Sequence, residues 1–291
     1  TVALSDSANR PVTDANAVLS EDIGALVSGL RQLPMPDEAS VQVVTGTVLR
    51  QAQTDQALVL AESPSWAQAG LVGQVFDFAA ADYAYIDLLQ AVYGSTTGAL
   101  YQPATDTLLV LEQDNAPNAV TQLAYVRQWA YLLQDQSFGL DVLTTGALTL
   151  DAALALAALR EGEATVVQEN FLTARYLPIE TAVIPETYAI DATALQDAPM
   201  SIANWLLFAY EFGDEFARFL YDAGSYPALN DAWANPPQST EQILHPEKYA
   251  ADEGPSLVTL PDLQPVLGAG WEMTEENVLG EFLLGQYLAQ Q

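Results

Sequence analysis

Cysteine is absent from the 291-residue chain, which excludes disulfides, thiolate nucleophiles and Cys-ligated zinc. The absence does not fix the compartment, because disulfides are optional in a large exported domain. Basic residues are scarce: 8 Lys and Arg stand against 38 Asp and Glu, a formal net charge of -30. Phosphate backbones and anionic headgroups need clustered Lys and Arg to displace counterions, so the charge argues against nucleic acid as a partner. Histidine occurs once, at His245, so no pair of His ligands can form within one chain. A Ser-His-Asp triad would have to use that same residue. Long apolar runs are also missing. The most hydrophobic stretch, Leu148 to Leu159, falls short of the roughly 20 residues that span a bilayer, so no membrane insertion is expected. There is no Gly-rich phosphate loop and no G-x-S-x-G elbow.

What is present is a globular composition. Half of the residues are hydrophobic and 16% are charged, unlike a disordered acidic tail. The length allows one large domain or two of roughly 150 residues, and no composition break marks a boundary. The sequence starts at Thr1 rather than Met, which raises the expectation of a removed leader and of an extracytoplasmic protein, secreted or on the cell surface. The anionic surface then serves solubility in an external medium, and its carboxylates are open to calcium.

Residues 1–21 are polar, Pro-containing and aperiodic and read as an extended arm; 22–291 read as one continuous domain. Ser20 and Glu21 open an amphipathic helix with Ile23, Leu26, Leu30 and Leu33 at helical spacing, ended by Pro34 and Pro36. Val41 to Val44 is a short strand, and Ala67 to Tyr93 has an apolar, helical pattern. Two strand-like runs around Pro103 and Asp106 predict a hairpin from Gly98 to Glu112. Helices follow over about Asn118 to Gln136 and Leu150 to Arg175, the second carrying the run REGEA at Arg160 to Ala164. These two are expected side by side. A Pro-punctuated link, LPIETAVIPE, leads to aromatic-rich helical segments through Trp205, Tyr210, Phe216 and Tyr221. The turn-rich loop NPPQSTEQILHPEKY spans Asn235 to Tyr249, and a closing helix starts at about Glu275.

Three stretches carry a resemblance: GALYQPATDTLLVLE, then LLQDQSFGL with ALREGEAT, then ANPPQSTEQILHPEKY. In this order they resemble a family of bacterial and archaeal zincin-like metallopeptidases of the gluzincin type. In that family the hairpin reads much like G-F-Y-D-P, the next helix carries H-E-L-T-H-A-L-Q-D-Q, and the helix after it carries E-G-E-A. Weaker similarity extends upstream through LRQLP and downstream through LGAGWEMTEENVLGEFLL. The resemblance implies an α+β, mainly helical zincin-like fold with a small β-sheet. It also implies zinc-dependent peptide hydrolysis, which needs two His one helical turn apart, a Glu between them as general base and another Glu as third ligand.

Aligned on the shared LQDQ, the catalytic turn of this sequence reads Arg127, Gln128, Trp129, Ala130, Tyr131. Both His and the catalytic Glu are replaced, and only the third-ligand position is kept, at Glu161. An Arg adds repulsion where a cation should bind, and an amide such as Gln128 is no general base. The resemblance therefore implies a degenerate member with no zinc and no other cofactor: a pseudopeptidase, an exported binding or structural subunit of a surface assembly with a protein or peptide partner. Arg127 is expected to pair with Glu161 through two parallel hydrogen bonds, with Tyr131 and Gln128 filling the remaining space. Gly98, Tyr101 and His245 are expected to line the cleft, the hairpin offering a strand edge to a partner, and His245 is expected to bond loop backbone. The alternative is an active hydrolase with a non-standard metal or a carboxylate pair drawn from Asp135, Asp141, Glu161 and Glu163.

Overall fold

A computed structural model of the chain describes residues 12–37, 39–80, 82–93, 98–139, 148–176, 192–256, 258–273 and 276–290. Asp141 and the link expected over 177–186 lie outside the described residues. The described chain is mainly helical with one small sheet, an α+β architecture.

The first helix, α1, spans Val12–Arg31, so residues 12–21, expected in an extended arm, are helical. Its inner face runs Asn16, Ser20, Ile23, Val27 and Arg31, all buried. Polar contacts dock its N-terminal half: Asn16 Nδ2 donates to the Gln113 carbonyl at 3.1 Å, and the Trp129 indole N–H donates to the Ser20 carbonyl at 2.8 Å. Strand β1, Ser40–Val44, leads into α2, Gly46–Ala61, which is N-capped by Thr45. The apolar stretch expected as one helical pattern is broken. Helix α3, Pro64–Val75, stops at a turn in which Asp77 takes a positive φ, and α4, Tyr85–Tyr93, resumes the pattern.

The predicted hairpin forms from β2, Ala99–Gln102, and β3, Thr107–Leu111, antiparallel and joined through a 3-10 turn, with β1 pairing parallel to β3. The order β1-β3-β2 makes β3 central. That position explains its unbroken apolar run, because both faces are covered. Leu108 and Val110 join the main core, whereas Leu109 packs with Leu100 and the α2 residue Leu49.

Helix α5, Ala119–Phe138, is N-capped by Asn118, whose side chain accepts the Thr121 N–H at 2.9 Å, and it ends at Gly139 with φ 71°. Helix α6, Leu150–Arg175, is N-capped by Thr149 and packs beside α5 as expected. Helix α7, Met200–Ala234, is kinked where Ser225 has φ 57° ahead of Pro227. The α6–α7 crossing is tight enough that a Cβ on Gly162 would overlap the Gly213 carbonyl. The expected loop after Asn235 contains two short helices, α8, Thr240–Leu244, and α9, Pro246–Ala250. A further turn, α10, Gln264–Leu267, precedes the closing helix α11, Gly280–Ala289. No described helix is long and apolar enough to cross a membrane.

Candidate functional site

Arg127 and Tyr131 lie one turn apart on α5, and both reach a single oxygen of Glu161 on α6. Arg127 Nη1 donates to Glu161 Oε2 at 3.0 Å, and the Tyr131 hydroxyl donates to the same atom at 2.5 Å. The side chains of Arg127 and Glu161 are 4% and 8% exposed, so water does not screen the pair. Of the two parallel bonds expected between them, the one from Nη1 is seen. The guanidinium divides its donors instead, Nη2 giving 2.7 Å to Gln168 Oε1 and 3.2 Å to Thr165 Oγ1. Thr165 and Gln168 lie one and two turns beyond Glu161 on the same face of α6, so the arginine is clamped along that helix.

Gln128, the next residue along α5, reaches the hairpin instead. Its Oε1 accepts the backbone N–H of Tyr101 at 2.7 Å. Tyr101 faces Leu108 across the hairpin but directs this N–H away from β3. The strand edge expected to be open to a partner is therefore capped at Tyr101 by the protein's own side chain. The Tyr101 hydroxyl bridges Asp135, at 2.7 Å, and Asp106, at 3.0 Å. Burial and the Asp135 carboxylate push its pKa above the ordinary value.

Glu163, two residues beyond Glu161, belongs to a second network. Arg31 Nε lies 2.5 Å from its Oε1, and the Trp233 indole N–H donates to its other oxygen. Arg31 also donates to Asn230 Oδ1 at 2.7 Å and sits 4.8 Å above the Tyr226 ring. The two carboxylates thus answer to separate arginines, which does not fit a shared carboxylate pair for hydrolysis.

Beside Glu161 opens a cavity of about 610 Å³, bounded by α2, β2, α5, α6 and α7. Gln128, Tyr131, Arg160 and Glu161 line one part of it with Tyr93 and Tyr210. Burial first, then the Glu161 charge, raises the pKa of Tyr93, Tyr131 and Tyr210, so all three are neutral donors near pH 7. The Arg160 guanidinium stands 4.0 Å above the Tyr131 ring. Sequence reasoning gave no site role to Arg160, seen only within the run REGEA, to Tyr93, at the end of the apolar helical stretch, or to Trp205 and Tyr210, seen only as part of aromatic-rich helical segments. The available signal was the rarity of a cation in so acidic a chain.

Of the three residues expected along a cleft, Tyr101 lines this cavity, and Gly98 and His245 lie outside its lining. Gly98 adopts φ 97° at the hairpin base, where a Cβ would press on Thr121. His245 sits between α8 and α9, half exposed, with Nε2 3.0 Å from Glu281 on α11. It bonds that side chain and not the loop backbone expected of it. The contact holds its pKa above the ordinary value.

The donor set does not fit zinc. Glu161 Oε2 already receives a guanidinium and a phenol, and among the described residues no three His, Cys, Asp or Glu side chains are grouped to hold a metal ion. The geometry defines a mainly helical α+β protein with an apolar cavity walled on one side by a closed Arg–Glu–Tyr network. No family model, curated protein or solved structure matches the chain.

Proposed function

We propose that this chain is a catalytically inactive relative of zincin-like metallopeptidases, acting as an extracytoplasmic binding protein. One observation carries the reading: positions 127 and 131 of one helix and 161 of the next converge on one point, Glu161 Oε2. That convergence is what a zinc site with two ligands one turn apart and a third on a neighbouring helix demands. It supports the alignment with the HExxH and EGxA motifs, and with it the zincin-like form of the fold. The replacements at that point supply no base, no nucleophile and no metal ligand except Glu161, so the chemistry is lost while the adjoining cavity remains.

Two experiments test this. The wild-type protein should hydrolyse no peptide substrate, with or without added zinc. Zinc should bind the combined variant Arg127→His, Gln128→Glu, Tyr131→His in isothermal titration and leave the wild type untouched. Peptidase activity accompanied by a stoichiometric transition metal in the wild type would overturn the proposal.

A role as a subunit of a surface assembly has its own support. Val258, Leu260, Val266, Trp271 and Met273 are each more than 60% exposed along one stretch, and clustered exposed apolar groups mark interaction surfaces. Introducing Glu at Leu260, Val266 and Trp271 should abolish any oligomer seen by light scattering.

A further inference from the structure

We propose that the cavity is a binding site for a small apolar monocarboxylate, its carboxylate seated on Arg160. The proposal rests on reading the cavity as a binding site and adds the chemistry of what fills it.

Arg160 is the first reason. Its Nε is buried without a hydrogen-bond partner, and among the described residues no carboxylate oxygen lies within ion-pair distance of its guanidinium. The neighbouring Glu161 is already engaged by Arg127 and Tyr131. In a chain with 38 acidic and 8 basic residues, a guanidinium held over an aromatic ring at a cavity wall, in the field of Glu161 but without a direct ion pair among the described residues, offers a seat for an anion. Arg presents a planar fork suited to a carboxylate.

The rest of the lining agrees. Trp205 Nε1, Ser63 Oγ and Gln56 Oε1 are buried without partners, and all three residues line this same cavity. Trp205 and Ser63 are 3% and 4% exposed. Buried polar groups left unpaired cost about 1–3 kcal/mol each, and here they gather around one space, as expected where a ligand or its waters complete them. Leu60, Leu150, Leu154 and Leu206 supply apolar walls. The volume, about 610 Å³, falls within the roughly 300–1,000 Å³ of small-molecule sites.

Two other occupants fit less well. A phosphate dianion would meet Asp55, Asp135 and Glu161 in the same lining with one unpaired guanidinium to offset them. An extended peptide pairing with β2 would find the Tyr101 N–H already held by Gln128.

Isothermal titration with decanoate, decan-1-ol and decyl phosphate on the wild-type chain decides the matter. Decanoate should bind at one site, with the alcohol and the phosphate weaker by about tenfold or more, the worth of a hydrogen-bonded charge. Arg160→Gln should bring decanoate down to the level of the alcohol. Ala157→Trp, which fills the cavity, should abolish binding of both. No decanoate binding, equal binding of the alcohol, tighter binding of the phosphate, or indifference to Arg160→Gln would each overturn the proposal. The comparison of head groups needs no variant, so a folding defect in Arg160→Gln does not leave it open. Failure here leaves the absence of peptidase activity untouched, because the zinc and hydrolysis experiments read Arg127, Gln128 and Tyr131 instead.

Discussion

Arg31 and Glu163 are the most completely buried ion pair among the described residues, 1% and 0% exposed. Removing one partner of such a pair strands the other charge, which costs about 3–5 kcal/mol. Arg31→Met should therefore lower unfolding stability by about that amount in chemical denaturation, although the residue lies far in sequence from Glu163. Asp151 gives a pH-dependent case. Its carboxylate accepts the Thr240 hydroxyl at 2.5 Å and the Thr240 N–H at 3.2 Å. Burial, which outweighs those bonds, raises its pKa above the ordinary 3.8, and Glu241 and Glu281 add to the shift. A raised folded value means that the contribution of Asp151 is complete below the unfolded pKa and fades as pH rises through the folded one. Asn keeps an acceptor for Thr240 without the charge. Asp151→Asn should therefore raise Tm relative to wild type at about pH 7 and leave it nearly unchanged at about pH 3; a lowered Tm at pH 7 would contradict the assignment.

Among the elements, the α6–α7 crossing depends on Gly162 and Gly213, each of which faces backbone or small side chains of the other helix. In an open helix Gly→Ala gains up to about 1 kcal/mol. Here Gly162→Ala should lose about 1–3 kcal/mol through overpacking, and the sign alone, read from a denaturant midpoint, separates the two cases. The same crossing explains part of what the sequence made legible. Leu150–Arg175 was readable to the residue because Thr149 caps it and small and apolar residues recur along it. The hairpin was readable from its apolar runs around Pro103. Helix α1 was read as starting eight residues late, because the positions that dock its first turns are Asn16 and Ser20, polar residues on a buried face. Helix α2 went unrecognised for a similar reason: its buried stripe is Leu49, Gln53 and Ala57, too weakly apolar to register. In the site, the pairing of Arg127 with Glu161 followed from motif alignment, whereas its divided geometry depended on Thr165 and Gln168, whose reach no linear pattern encodes.

At the scale of the molecule, Arg31, Arg127 and Arg160 take three of the 8 basic residues inward. Of the rest, Arg218 is engaged by Glu169 and Asp214, and Lys248 by Glu241 and Glu253. The surface is left with a large excess of like charge, whose repulsion acts over about 10 Å at 0.1 M salt and about 3 Å at 1 M. Raising NaCl across that range should raise Tm, and the increment should be nearly the same in Gly162→Ala, whose defect is uncharged. A Tm that falls with salt would show that exposed ion pairs outweigh the repulsion.

The cap that Gln128 places on Tyr101 has a bearing on shelf life. An unpaired strand edge is a template for association between identical molecules, and this sheet has two edges, at β1 and β2. Helix α5 packs along β2 and one of its side chains takes up the outward N–H of Tyr101, whereas on β1, which α1 also contacts, Ser40 and Gln42 stay exposed, so fibril-like growth would meet less cover there.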